Sequence, residues 1–81
     1  MSVQQNIKRI REARGITQVA VAGNLGITPM KYYRLENINK TIDPNYIIRI
    51  AHYLGVDEAT FFDKELTESV INSLRSKQSI K

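Results

Sequence analysis

Cysteine is absent from the 81 residues, and histidine occurs once, at His52. Without cysteine the chain can form neither a disulfide framework nor a thiolate metal site, and one histidine does not make a metal cluster. No apolar run approaches the ~20 residues of a membrane span, and the N-terminus lacks the charged-then-apolar pattern of a signal peptide. We therefore expect a soluble cytoplasmic protein that needs no metal ion and no cofactor.

The charge of the chain is unevenly distributed. Twelve Lys and Arg residues and eight Asp and Glu residues give a net charge of +4. Residues 1–56 hold eight basic and three acidic residues, a balance of +5, whereas residues 57–81 hold four basic and five acidic residues, a balance of −1. A basic balance confined to one part of the chain indicates a polyanion, such as nucleic acid, as the partner of that part.

The most informative stretch runs from Thr17 to Asn37 and has the pattern of two short helices joined by a tight turn. Thr17 and Thr28 are predicted N-caps, and Pro29 is the first helical residue after the turn. Gly26 stands where a left-handed residue closes a helix at the lowest cost. Two helices joined this tightly are typical of a helix-turn-helix, whose second helix enters the DNA major groove.

These residues resemble the phage-repressor/Cro helix-turn-helix family, also called the xenobiotic-response-element (XRE) family. The resemblance runs without a gap from about Ile7 to Phe62. The matching positions are Thr17-Gln18, Ala22, Leu25-Gly26-Ile27, Thr28, Leu35-Glu36, Ile50-Ala51 and Leu54-Gly55-Val56. The resemblance implies an all-α fold, a compact five-helix repressor-like domain over residues 1–62.

The segment 63–81 lies beyond the resemblance and is expected to add a sixth, C-terminal helix. Its apolar residues recur at helical spacing. That apolar face either packs on its own domain or forms a contact between two copies of the chain, and we favour the dimer contact. The residues concerned are Leu66, Val70, Ile71 and Leu74.

The resemblance implies a DNA interface on the outer face of the third helix. Arg34 is the expected base reader, because arginine can bond guanine O6 and N7 at once. Lys31 could read guanine or bind phosphate, and Gln18 is expected to bind phosphate at the start of the second helix. The expected DNA-binding residues are Gln18, Thr28, Pro29, Met30, Lys31, Tyr33, Arg34, Asn37 and Lys40.

Other charged residues have structural or open assignments. The family pairs an arginine of the first helix with a glutamate that ends the recognition helix, so we expect a partly buried ion pair between Arg11 and Glu36. Lys8, Arg9 and Arg14 lie off the apolar stripe of the first helix, where either solvent or phosphate could be their partner.

The end of the third helix departs from the family pattern. Ile38 stands where the family usually has a glycine, with Asn37 and Asn39 on either side. Because asparagine tolerates the left-handed conformation, we expect one of the two to end the helix.

The functional hypothesis is a homodimeric transcriptional regulator that binds double-stranded DNA at a palindromic operator, with half-sites about 34 Å apart. An antitoxin-type protein, whose C-terminal tail binds a toxin, is the alternative, and a ribosomal or architectural nucleic-acid binder is a further one. We do not expect an enzyme, because the chain has no glycine-rich phosphate loop, no nucleophile beside its histidine and no metal-ligand cluster.

Overall fold

Five α-helices and one 3-10 helix make up the secondary structure of residues 2–79, the part of the chain that the computed structural model describes. The α-helices are α1 (Val3–Ala13), α2 (Gln18–Leu25), α3 (Pro29–Asn37), α4 (Pro44–Leu54) and α5 (Lys64–Ser79). The expected all-α fold is confirmed. The fifth helix in chain order is a 3-10 helix, Glu58–Phe62, so the expected sixth, C-terminal helix carries the label α5. Within residues 2–79, no helix has the length and apolar character that crossing a bilayer requires.

Side-chain caps set where the helices begin. The hydroxyls of Ser2, Thr17 and Thr28 each accept a hydrogen bond of 3.1 Å from the backbone N–H three residues on. Asp43 and Asp57 accept from the N–H two residues on, at 2.8 and 2.9 Å. Each cap satisfies a backbone donor that the helix itself leaves without a partner.

The helix ends follow two different patterns. Gly26 and Gly55 end α2 and α4 in the left-handed conformation, with φ of 73° and 74°. The end of α3 has no such residue, because Ile38 has φ −121° and no residue other than glycine has positive φ in the described part of the chain. The expectation that an asparagine would end α3 in the left-handed conformation was therefore wrong. Instead, the backbone N–H groups of Ile38 and Asn39 both donate to the carbonyl of Arg34, at 2.8 and 2.7 Å.

One hydrophobic core joins all these elements. Ala22, a small residue of α2, is fully buried. The buried apolar residues are Ile7, Ile10, Val21, Ala22, Leu25, Tyr32, Leu35, Ile47, Ile50, Ala51, Leu54, Phe61 and Ile71.

The helix α5 packs against α1 and the 3-10 helix of its own chain. Ile71 is 3% exposed, and the buried Thr67 donates its hydroxyl to the carbonyl of Thr60 at 2.7 Å. Ile71 was expected to form a dimer contact, and this expectation was wrong, because its side chain is buried in the core of its own domain. Val70 and Leu74 are half-buried, whereas Leu66 is 47% exposed.

Candidate nucleic-acid interface

The helix α3 turns one face to the core and the other to solvent. Tyr32, Leu35 and Glu36 are buried. Met30 is 60% exposed and Tyr33 is 46% exposed. The exposed residues along α3 and at its cap are Thr28, Pro29, Met30, Lys31, Tyr33, Arg34 and Asn37. This exposed face holds two cations and no carboxylate, since the acid of α3 points inward.

That acid, Glu36, is bound by an arginine of α1. Arg11 donates from Nε to Glu36 Oε2 and from Nη2 to Glu36 Oε1, each at 2.9 Å. The pair is buried, with side-chain exposures of 8% for Arg11 and 0% for Glu36. A third Arg11 donor, Nη1, bonds the carbonyl of Ile16 at 2.8 Å. The two-point geometry fixes both the separation and the relative rotation of the two side chains.

Two further side chains donate to the same carboxylate. The Tyr32 hydroxyl donates to Glu36 Oε2 at 2.7 Å, and the Gln18 amide Nε2 donates to Glu36 Oε1 at 3.0 Å. Sequence reasoning assigned Gln18 to a phosphate, and it predicted neither of these two hydrogen bonds. A signal existed for Tyr32, because residues four apart on a helix are neighbours. The sequence contains no comparable signal for the hydrogen bond from Gln18 to Glu36, because that bond depends on how α2 packs on α3.

The pKa values of these groups follow from the network. Burial by itself raises the pKa of Glu36, but hydrogen bonds from Arg11, Tyr32 and Gln18 outweigh it and lower that pKa below its usual range. Burial lowers the pKa of Arg11, and the Glu36 carboxylate more than reverses this. Burial, reinforced by the bond to Glu36, raises the pKa of the Tyr32 hydroxyl. The network is therefore a carboxylate, a guanidinium and a neutral phenol across the physiological pH range.

The loop after α3 is attached to α1. The side chain of Gln4 donates from Nε2 to the carbonyl of Asn39 at 2.9 Å. Asn37, an expected DNA-binding residue, donates from Nδ2 to the carbonyl of Tyr33 at 3.1 Å and so lies along its own helix. Lys40 is exposed in this loop.

One cation of α3 lies near an aromatic ring of α4. The Lys31 ammonium lies 5.8 Å from the ring centroid of Tyr46, within the range of a cation–π contact. Arg49 of α4 donates from Nη2 to the carbonyl of Asn24 at 2.9 Å, beside the C-terminal end of α2. Lys31 therefore leans toward α4, and Tyr46 is a neighbour of the interface that sequence reasoning missed.

Seven of the nine expected DNA-binding residues are exposed along α3 or at its cap, Lys40 is exposed in the loop that follows, and Gln18 of α2 belongs to the buried network. Comparison with known families matches residues 5–66 to a model described as a helix-turn-helix domain. The match includes α2, α3 and the turn between them. Neither a search of curated proteins nor a search of solved structures returns a match.

Proposed function

Because the chain belongs to the helix-turn-helix domain family, of the XRE type, we propose that it is a sequence-specific DNA-binding transcriptional regulator. In this proposal α3 lies in the major groove, Arg34 reads a base pair, and the residues around α3 bind backbone phosphates. Bases are read by side chains that reach the groove, whereas phosphate contacts fix the position of the protein on the duplex.

The observation that carries the proposal is the exposed cationic face of α3 on a rigid base. Lys31 and Arg34 are exposed, and the one carboxylate of α3 is buried under Arg11. A helix that repelled the DNA phosphates through an exposed acid would be a poor reader. Here the acid instead orients the helix, and the charge that faces solvent is positive.

We further propose a homodimer on a palindromic operator, acting as a stand-alone repressor or controller. One small domain contacts few base pairs, and a dimer doubles the number of bases read. Leu66 supports this part of the proposal, because it is a large apolar side chain that α5 leaves 47% exposed. The alternative of an antitoxin-type protein has no observation in its favour, since Thr67 and Ile71 of α5 are already buried in their own domain.

The test is selection of duplexes from a random pool, followed by fluorescence anisotropy with the selected duplex and a scrambled duplex. We expect an enriched palindrome, two protein chains per duplex, and binding at least about 10³-fold tighter than to the scrambled duplex. A pool that never enriches, with equal binding to all duplexes, would rule out a sequence-specific regulator and favour an architectural role.

A further inference from the structure

A polar groove lies beside the C-terminal end of α3. The N-terminal half of α1 forms one wall, and the end of α3 with the loop that follows it forms the other. The groove encloses about 490 Å³. The residues that matter for its chemistry are Gln5, Lys8, Asn37, Asn39 and Lys40.

The charge of this groove is positive. Lys8 comes from α1 and is half-buried, and Lys40 comes from the loop and is exposed. Among the described side chains, neither lysine forms an ion pair. The acidic residue in the lining is Glu36, whose carboxylate already accepts from Arg11, Tyr32 and Gln18. The groove therefore presents two cations without an ion-pair partner among the described side chains; Glu12, one helical turn after Lys8, lines an adjacent pocket with it.

The groove is held in shape by hydrogen bonds that do not involve the two lysines. Gln4 donates to the carbonyl of Asn39 at 2.9 Å and so joins the loop to α1. The backbone N–H of Asn39 donates to the carbonyl of Arg34 at 2.7 Å, which joins the same loop to α3. Asn39 therefore fixes the backbone just before Lys40, and the loop brings Lys40 to the groove that Lys8 also lines.

We propose that this groove binds one backbone phosphate of the DNA, just outside the base pairs that α3 reads, and that Lys8 is a DNA contact supplied by α1. This inference rests on the proposed function. A helix in the DNA major groove has the phosphates of both strands near its ends. The polar groove of the protein opens at one such end, the C-terminal end of α3. Two ammonium groups and the carboxamide N–H donors of Gln5 and Asn39 suit an anionic oxygen, and they carry no base preference.

The test uses the duplex selected above, with one backbone phosphate at a time replaced by a neutral methylphosphonate. Binding is measured for the wild type, for Lys8→Gln and for Lys40→Gln, over a salt series. Lys64→Gln is the matched control, because Lys64 is an exposed lysine at the start of α5 and its replacement removes the same charge. Circular dichroism checks that every variant is folded.

We expect Lys8→Gln to bind the selected duplex roughly three- to tenfold more weakly near physiological salt. We also expect the slope of the logarithm of the association constant against the logarithm of the salt concentration to become shallower by about 0.9 per protomer. Base preference stays unchanged. One flanking methylphosphonate weakens wild-type binding, and it weakens Lys8→Gln binding by a smaller factor, because only Lys40 of the two lysines then faces that phosphate. Lys64→Gln behaves as the wild type.

A Lys8→Gln protein with wild-type affinity and wild-type salt slope would overturn the inference, with the proposed function left intact. A Lys8→Gln protein that is as sensitive as the wild type to every flanking methylphosphonate would also overturn it. If the wild type does not distinguish the selected duplex from the scrambled one, the proposed function fails and the inference fails with it.

Discussion

Glu36 is the residue through which α3 is held to the rest of the domain. Its carboxylate is buried and accepts from Arg11 on α1, from Gln18 on α2 and from Tyr32 on α3 itself. A carboxylate has about four lone-pair positions, and these donors occupy them. Because a buried charge without partners is costly, a rotation or slide of α3 would break several strong bonds at once. This one side chain therefore fixes the register of the proposed recognition helix.

Glu36→Gln tests this role through stability and its pH dependence. We expect a loss of about 3–5 kcal/mol in the free energy of unfolding at pH 7, because Arg11 is left buried without its counter-charge. The folded pKa of Glu36 is lowered, so its stabilising effect is complete above the unfolded pKa of about 4.3 and is lost as pH falls through the folded pKa. Urea unfolding from pH 7 to pH 2 measures both effects.

The wild type should therefore lose more stability below pH ~4.3 than Glu36→Gln does. Glu65→Gln, at an exposed position of α5, is the control and should follow the wild type. If Glu36→Gln and the wild type lost stability in parallel on acidification, Glu36 would not be the group responsible.

Tyr32→Phe isolates one hydrogen bond of the network. We expect it to lower the free energy of unfolding by roughly 1.5–3 kcal/mol, the range for a hydrogen bond to a charged group, because the ring is retained and only the donor to Glu36 is lost. Tyr33→Phe is the matched control, since Tyr33 is 46% exposed; its effect should stay within about 0.5 kcal/mol. Similar values for the two variants would mean that the Tyr32 hydroxyl adds nothing.

At the scale of the elements, most helix boundaries could be predicted because capping acts over two or three residues. Thr17, Thr28 and Asp43 each bond a backbone N–H close to them in sequence. Gly26 and Gly55 likewise end their helices through their own backbone freedom. Nothing distant decides these ends, so the sequence near each boundary contains the information.

The burial of Ile71 and the hydrogen bond of Gln18, which sequence reasoning did not predict, depend on distant partners. Whether the Ile71 side chain is buried or exposed depends on how α5 packs on α1. The four-residue spacing of the apolar residues in α5 predicts an apolar face but does not reveal what covers it. The same holds for Gln18, whose amide finds Glu36 only after α2 and α3 have packed. The end of α3 was missed for another reason, because Ile38 and Asn39 share one carbonyl and need no left-handed residue.

Gly23 inside α2 and Gly26 at its C-cap should respond in opposite directions to alanine. Gly23 lies in the helix interior, and a Cβ there would meet nothing within 4 Å. Gly23→Ala should therefore stabilise the domain by about 0.5–1 kcal/mol. Gly26 also has open space, but its φ is 73°, so Gly26→Ala should destabilise by about 1–2 kcal/mol. Thermal unfolding measures both, and a destabilised Gly23→Ala would show that Gly23 has a structural role that the open space does not suggest.

At the scale of the whole molecule, α5 completes a small core and, among its described side chains, leaves the apolar Leu66 exposed. Ile71→Ala should lower the free energy of unfolding by about 2–5 kcal/mol, since it removes buried methyl groups. Leu66→Ala should have a much smaller effect on the monomer, but it should raise the dimer dissociation constant in sedimentation equilibrium. Unchanged self-association in Leu66→Ala would remove Leu66 from the proposed dimer contact.

The proposed function depends on the claim that α3 reads bases through Arg34. The most direct measurement compares the wild type and Arg34→Ala on the selected duplex and on its single-base-pair variants, by competition anisotropy. We predict that Arg34→Ala loses roughly a 5- to 150-fold preference at one base pair of each half-site, equivalent to about 1–3 kcal/mol, and keeps the other preferences. An equal loss of affinity on every duplex, with all base preferences retained, would contradict the claim and would make Arg34 a phosphate contact.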